Sequence, residues 1–370
     1  MTGPGRVLIA GTGLIGTSVA LALRATGADV WLSDADQATA TLAADLGAGL
    51  VVPDLRDAKG IADVAVLAMP PAVVGEMLAR AQDCAVAEWY TDVASVKALP
   101  VAQARQLGCD LETYVPGHPL AGREKHGPAA AQADLFLGRT WALCPLPETC
   151  PDAVAAVTAL AVACGAVPVT TDPDTHDRWV ALVSHAPHLV AVAMAARLAP
   201  SSVPADALGL AGQGLRDVTR IAAGDAGLWG QILAANAGPV AAVVAAVAED
   251  LAAVARDLAA VAGSAGSAGS AGSPDVAGLL DRGRAGVARI PGKHGGQPRN
   301  FAVVQVVIAD QPGELARLFA AAGAAGVNIE DIRLEHSPGL PVGVAELSIR
   351  PDQAGLLLDA MEAGGWPVRR

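Results

Sequence analysis

The sequence predicts an α/β chain: a doubly wound parallel sheet, then an all-helical region, then a small β-α-β-β-α-β module. Three observations predict it. Short β-branched runs alternate with alanine-rich helical stretches through the first 170 residues. Strands then vanish between about 175 and 260, and strand-helix alternation resumes after 301. A length of 370 residues fits two or three domains. With 52% hydrophobic and 17% charged residues the chain can bury a large core, which excludes a disordered protein.

The candidate strands of the first region are 7–10, 30–33, 64–68, 88–92 and 141–144, with helices near 14–26, 36–46, 71–82, 96–106 and 151–164. Long helical patterns follow at 179–198 and 240–262, apolar around most of their circumference. Such helices need other helices to cover them, here those of a second subunit, so a homodimer is expected. Residues 263–273, GSAGSAGSAGS, have the composition of a flexible linker. A basic connector, 274–300, carries Arg282, Arg284, Arg289, Lys293, His294 and Arg299. Strand and helix patterns at 301–307, 312–325, 327–334, 344–349 and 353–363, with a last short strand at 366–369, give a ferredoxin-like βαββαβ module. The expected domains are therefore 1–172, 173–262 and 301–370, with 263–300 as linker and connector.

Twenty-five basic against 37 acidic side chains leave a net charge of −12. That balance argues against a nucleic-acid backbone or an anionic membrane surface as partner. Five cysteines, an odd number with no CxxC, point to a reducing cytoplasm rather than a disulfide framework. Residues 7–23 are uncharged and follow Arg6, but they carry three spaced glycines that a secretion signal has no reason to keep. The uncharged stretches 153–171 and 228–248 are interrupted by Gly165 and Pro168, and by Gln231, Asn236, Gly238 and Pro239. They read as a helix plus strand and as two helices rather than membrane spans, so a soluble protein is expected.

Gly11-Thr12-Gly13-Leu14-Ile15-Gly16 follows the first strand and opens a helix. In that context Gly11 allows the tight turn, Gly13 lets backbone approach a pyrophosphate, and Gly16 lets helix and strand pack closely. The helix N-terminus offers amide donors and positive partial charge. Asp34, at the end of the second strand, can accept bonds from ribose hydroxyls and would repel a 2′-phosphate. Ala35 and Asp36 follow it with no arginine, which favours NAD over NADP. The first region is thus a Rossmann-type domain.

Asp92-Val93-Ala94-Ser95-Val96-Lys97 and Gly117-His118-Pro119-Leu120-Ala121-Gly122-Arg123-Glu124 stand at the carboxyl ends of expected strands, where open α/β sheets place ligands. A histidine there can take a proton from a substrate hydroxyl, with a nearby serine fixing its orientation. In Ser184-His185-Ala186-Pro187-His188 the i, i+3 histidines have no third ligand at metal spacing, so no metal is expected and substrate contact or a polar core is preferred. Arg216 and Arg220 share one helical face ahead of Leu228-Trp229. They suit an anionic ligand held by bidentate bonds; ion pairing with Asp217 or Asp225 is the plainer alternative.

Together these motifs resemble the prephenate/arogenate dehydrogenases of tyrosine biosynthesis, over essentially the whole chain. The resemblance rests on the glycine loop, DxxSVK at 92–97, HPxAGxE at 118–124, SHxPH at 184–188 and RDxTRI at 216–221 followed by a tryptophan. It implies NAD-dependent oxidative decarboxylation of prephenate to 4-hydroxyphenylpyruvate. It gives His118 the role of proton acceptor and Ser95 that of orienting it. Arg220 would clamp the side-chain carboxylate, and Arg216, His188 and Glu124 would line the pocket. The C-terminal segment resembles an ACT domain through Asp310-Gln311-Pro312-Gly313-Glu314-Leu315 and Val327-Asn328-Ile329. In that pattern Asp310, Pro312, Gly313 and Asn328 would hold an amino-acid effector, with tyrosine the natural feedback inhibitor. Arogenate remains an alternative substrate. A β-hydroxyacid dehydrogenase or imine reductase would not need the HPxAGxE loop, and a non-enzymatic amino-acid sensor would leave His118, Ser95 and Arg220 idle.

Overall fold

A computed structural model describes residues 3–122, 126–200, 203–264, 276–290, 301–336 and 341–369. Most of the expected linker and residues 291–300 of the connector, with Lys293, His294 and Arg299, lie outside the described residues, as do Arg123 and Glu124. The chain divides into two units, Met1–Glu249 and Asp250–Arg370.

In the first unit the β-branched runs form a six-stranded, all-parallel sheet. In chain order its elements are β1 (Arg6–Ala10), α1 (Leu14–Ala25), β2 (Asp29–Ser33), α2 (Gln37–Asp45), β3 (Leu50–Val51), β4 (Ala62–Leu67), α3 (Val74–Asp83), β5 (Ala87–Asp92), α4 (Ala98–Gln106) and β6 (Tyr114–Val115). The strand order is β3-β2-β1-β4-β5-β6. Val7 to Ala10 and Val64 to Leu67 are buried throughout, as strands covered on both faces must be. One face packs Val19 and Leu23 with Val157 and Leu160; the other packs Val74 and Leu78 with Val101 and Ala104. The two-residue strands β3 and β6 are too short to leave a periodic signature.

The expected strand 141–144 is a strand, but not the next member of that sheet. Pro116 has no N–H with which to continue the parallel ladder, and the chain turns away there. A separate three-stranded sheet follows, β7 (Gly117–Pro119), β8 (Thr140–Leu143) and, after α5 (Pro151–Ala163), β9 (Val167–Thr170). β8 runs antiparallel to β7 and parallel to β9. His118 therefore lies within a strand rather than in a loop. A Cβ on Gly117 would stand 2.8 Å from the Asp92 carbonyl oxygen and 3.1 Å from Trp141 Nε1, so only glycine admits this crossing.

The helical region opens at α6 (Pro173–Val180), capped by Asp172 on the Thr175 amide. It is not the smooth helix expected from 179. A π-helical turn at Ala181–His185 separates α6 from α7 (Ala186–Ala196). Pro187 accounts for it: the ring has no N–H for the Val183 carbonyl and would crowd it, so the turn widens. Then come α8 (Ala205–Gly209), α9 (Gln213–Thr219), α10 (Ala226–Ala235) and α11 (Ala237–Ser264). The stretches 153–171 and 228–248 are thus helix plus strand and two helices, as read. Pro173–Ala196 and Ala237–Gly263 are long and apolar enough, by length and composition, to cross a membrane. Trp179, Leu182, Val183, Met194, Leu251 and Leu258 are exposed. His176, Asp177 and His185 are buried, so the first of these stretches carries polar groups inward.

In the second unit part of the basic connector is helical, α12 (Ala277–Val287), with Arg282 paired to Asp250. Beyond it are β10 (Ala302–Ala309), α13 (Glu314–Ala324), β11 (Ile329–His336), β12 (Val342–Ile349), α14 (Ala354–Ala363) and β13 (Val368–Arg369). The four strands form a small antiparallel sheet in the order β11-β12-β10-β13. Its core joins Val304, Val306 and Leu347 to Leu318 and Met361 of the helices. Gly313 caps α13 in the left-handed region at φ 88°. Glu314, buried, accepts from Trp366 Nε1 at 2.6 Å and from Arg317 at 2.8 Å. The Arg317 guanidinium in turn lies 4.3 Å above the Trp366 ring.

The helix-strand contact at Gly16 sets a test of the first unit. A Cβ there would meet the Gly11 carbonyl oxygen at 1.9 Å, backbone that cannot swing aside. Gly16→Ala should lose about 1–3 kcal/mol of stability, lowering the melting temperature by roughly 3–10 °C in calorimetry. An unchanged melting temperature contradicts this packing.

Candidate active site

Gly11 is left-handed at φ 96°, and a Cβ there would stand 2.2 Å from the Ala68 carbonyl oxygen, so the turn requires glycine. Gly13 is different: a Cβ would meet nothing within 4 Å, and no side chain caps α1. The first-turn amides of Leu14, Ile15 and Gly16 thus stand beside open space at the positive end of a helix. Thr12 is fully buried, and its amide and hydroxyl donate to Asp34 Oδ2 at 2.6 and 2.9 Å. Asp34 Oδ1 accepts the Asp36 amide at 3.0 Å. Asp36 is itself occupied in capping α2. These residues fit a dinucleotide: bare amides for the pyrophosphate, room at Gly13, and a fixed carboxylate at the end of β2.

At the end of β5, Asp92 and Lys97 form an ion pair in which both side chains are fully buried. Asp92 Oδ1 also accepts the Ala94 amide at 2.8 Å, and Oδ2 the Tyr114 hydroxyl at 2.6 Å. Lys97 Nζ donates as well to the Gly117 carbonyl at 2.5 Å, fixing the residue before His118. His118 Nδ1 lies 3.0 Å from His176 Nε2, and His176 Nδ1 lies 2.8 Å from Asp177 Oδ1. The Asp177 carboxylate accepts the Lys97 and Ala98 amides at 2.8 and 2.9 Å. It thereby caps α4, whose own Lys97 N-cap makes no side-chain cap. Ser95 is half-buried, and its hydroxyl makes no hydrogen bond among the described residues. His118 is thus held by a histidine of α6 rather than by a serine.

On the helical side His185 faces Asn236 at 3.1 Å, and Asn236 donates to the Asp177 carbonyl at 2.8 Å. His188 stacks on Trp229, with centroids 3.5 Å apart and planes 5° from parallel. α7 packs against α9 and the turn at Arg220–Ala222, which places the arginine segment beside it. Arg220 begins a 3₁₀ turn where α9 ends, and both Arg216 and Arg220 are exposed. Asp217 accepts from Gln213, and Asp225 caps α10 at Leu228.

Burial holds the imidazole of His118 well below its usual range, and the neighbouring His176, Lys97 and His185 push it the same way. Burial likewise lowers His185 to about 4, and lowers His188. All three are neutral at pH 7, so His118 is free to accept a proton.

His176, Asp177, Tyr114 and Asn236 escaped the sequence reading. The adjacent His176-Asp177 pair just ahead of the apolar helical run was the available signal, since such a pair needs partners where the helix packs inward. In the second unit, Asp310, Pro312 and Gly313 lie at the turn into α13. Asn328 instead lines a cavity of about 390 Å³ with Phe319, Val327 and Ile332, and donates to Glu330 at 2.7 Å.

A parallel sheet with a bare glycine turn, and a neutral, half-buried histidine beyond the sheet's edge strand, define an NAD-dependent dehydrogenase. Residues 19–170 match the family described as prephenate dehydrogenase, nucleotide-binding domain, and residues 172–262 match prephenate dehydrogenase, dimerization domain. A Streptomyces niveus protein described as probable prephenate dehydrogenase NovF is 38% identical over 365 residues, 98% of each chain. Prephenate dehydrogenase of Bacillus subtilis is 33% identical over 240 residues, 62% of this chain and 64% of that protein. The structure of Aquifex aeolicus prephenate dehydrogenase with hydroxyphenyl propionate and NAD+ has a TM-score of 0.65 at 26% identity, covering 78% of this chain and 97% of that one. Synechocystis arogenate dehydrogenase shares the fold at a TM-score of 0.62 and 24% identity, over 76% and 98% of the two chains. The chain belongs to the prephenate dehydrogenase family.

The lowered histidines make stability depend on pH. An unfolded histidine titrates near 6.5, so below that the unfolded chain binds protons that the folded chain refuses, and stability falls with pH. For His185 the loss runs from about pH 6.5 down to about 4 and amounts to about 3 kcal/mol. Denaturant unfolding from pH 8 to pH 4 should show His185→Gln with a shallower acid dependence than the wild type. Equal slopes would contradict a buried neutral His185.

Proposed function

We propose that this chain oxidatively decarboxylates prephenate with NAD+, giving 4-hydroxyphenylpyruvate, CO₂ and NADH. The observation that carries this reading is His118, held neutral just beyond the strand edge of the nucleotide-binding sheet. Bound NAD+ supplies the hydride acceptor; the chain's own residues position, orient and manage one proton. His118 takes the ring-hydroxyl proton as hydride leaves the carbon bearing that hydroxyl; loss of the ring carboxylate as CO₂ then completes an aromatic ring, whose phenolate oxygen takes the proton back. Arg220 offers its guanidinium to the substrate's side-chain carboxylate, with Arg216 and the His188 ring, stacked on Trp229, lining the pocket. Arogenate differs only in an amino group on the side chain, so the two substrates are best separated by assay. Family membership sets aside the β-hydroxyacid dehydrogenase and the bare sensor.

The apolar faces of α6, α7 and α11 that stand exposed are read as the surface of a homodimer, which the dimerization-domain match supports. The five cysteines are free thiols, in keeping with a cytoplasmic protein. The small antiparallel module is read as an ACT domain. Its β-α-β-β-α-β order supports this, as does the uncapped turn at Gly313, whose amides suit a carboxylate.

NADH absorbance at 340 nm with prephenate, with arogenate, and with each plus tyrosine tests the whole reading. Prephenate should be turned over, and His118→Asn should lower turnover by about 10²–10⁴-fold with little change in NAD+ affinity. Near-normal turnover removes His118 from the chemistry, and no NADH with either substrate overturns the assignment.

Tyrosine should inhibit the wild type or raise its melting temperature. Asn328→Ala should raise the inhibitory concentration about tenfold, the worth of one hydrogen bond. A wild type indifferent to tyrosine overturns the regulatory reading and leaves the dehydrogenase intact.

A further inference from the structure

Beyond the expected acceptor, the structure holds an arrangement that the sequence motifs did not include. His118, His176 and Asp177 form a line of two short hydrogen bonds, 3.0 Å and 2.8 Å. His176 is 2% exposed and Asp177 is 3% exposed, so water does not compete for either link. Around the line stand Asp92 at the end of β5, Lys97 from the loop after it, Cys144 following β8, and His185 from the π turn.

The donor inventory fixes where the protons lie. The Asp177 carboxylate can only accept, and it already accepts the amides of Lys97 and Ala98. His176 Nδ1 must therefore carry the hydrogen that it donates to Asp177. With that one N–H spent on Asp177, His176 Nε2 is left as the acceptor. It faces His118 Nδ1, which must then carry the hydrogen of that bond. The lone pair of His118 is consequently on Nε2, the nitrogen not spent on His176. Were the tautomers reversed, His176 would present no hydrogen to Asp177 and an N–H would be wasted against His118.

We propose that His176, set by Asp177, is the positioning residue that holds His118 in the Nδ1–H tautomer, with Nε2 directed as the base for the substrate hydroxyl. This rests on the reading of His118 as the proton acceptor. When Nε2 takes the proton, the imidazolium keeps its Nδ1–H bond to His176, now charge-assisted, and Asp177 supports the partial positive charge that reaches His176. The same logic of acid, histidine and acceptor recurs wherever a carboxylate selects a histidine tautomer. Here a second histidine is interposed.

Two variants and one spectrum test it. His176→Phe keeps a flat ring but removes the acceptor; it should lower kcat about 10- to 10³-fold, with the KM for prephenate and the affinity for NAD+ within about twofold of wild type. His176→Gln restores a carbonyl acceptor and should recover at least tenfold of that loss. In the ¹⁵N spectrum of the histidine-labelled wild type at pH 7, His118 should show a protonated Nδ1 and an unprotonated Nε2. Wild-type kcat in His176→Phe, or a wild-type spectrum with the proton on His118 Nε2, overturns the proposal, the latter even if the variant fails to fold. Loss of activity in His118→Asn alongside full activity in His176→Phe rejects the positioning role and keeps the acceptor; full activity in His118→Asn rejects the acceptor itself.

Discussion

The active region depends on one buried charge pair. Lys97 and Asp92 are both removed from water, a loss of hydration that their attraction offsets with the help of further hydrogen bonds to each partner. Tyr114 and the Ala94 amide complete Asp92; the Gly117 carbonyl takes the remaining reach of Lys97. The five participants come from β5, the loop after it, β6 and β7. The pair therefore fixes the point where the chain leaves the parallel sheet and turns into the strand that carries His118. It also leaves no slack: breaking such a pair by removing one partner leaves an uncompensated buried charge, at about 3–5 kcal/mol.

A second carboxylate ties the helical region to this point. Asp177 sits on α6, yet its oxygens take the first amides of α4, some eighty residues earlier in the chain. A helix end that lacks its own cap borrows one from the neighbouring region, and the borrowed cap is the residue that orients His176. Packing between the sheet and α6 and the orientation of the His118 imidazole are thus one set of bonds. The π turn at Ala181–His185 serves the same end from farther along. By widening the helix before Pro187 it leaves His185 against Asn236 and His188 against Trp229, two buried rings on one helix that make different contacts.

Much of the fold was legible because its signals are local. Val7 to Ala10 and Val64 to Leu67 are continuous apolar runs, which is what strands buried on both faces require. The glycines of the first turn could be read because each answers a separate steric demand, and the close approaches at Gly11 and Gly16 bear this out. Where signals are not local, the reading failed. The strand at 141–144 looks like its predecessors, and nothing within it says that it pairs with Gly117–Pro119 rather than with the main sheet. β3 and β6 are pairings of two residues each, below any periodicity. The helix at Ala277–Val287 was hidden by its arginines, which read as a solvated connector.

Of the proposed site, the sequence singles out His118 but not its support, for a related physical reason. A histidine after a strand end announces itself, because such positions meet ligands. What holds it is a contact between residues 58 apart, and whether His176 is a surface residue or a buried partner depends on how α6 packs. Composition offers one general guide. In an acidic, alanine-rich protein with few aromatic groups, any histidine-aspartate pair must either reach water or find donors, and the packing of α6 buries both His176 and Asp177. Asp177 finds three donors, two amides and an imidazole, and with that many it remains a charge that can bias the ring beyond it. The support of the base thus follows from the rule that governs the rest of the interior: a buried polar group is tolerated where it is fully bonded, and full bonding leaves it only one orientation.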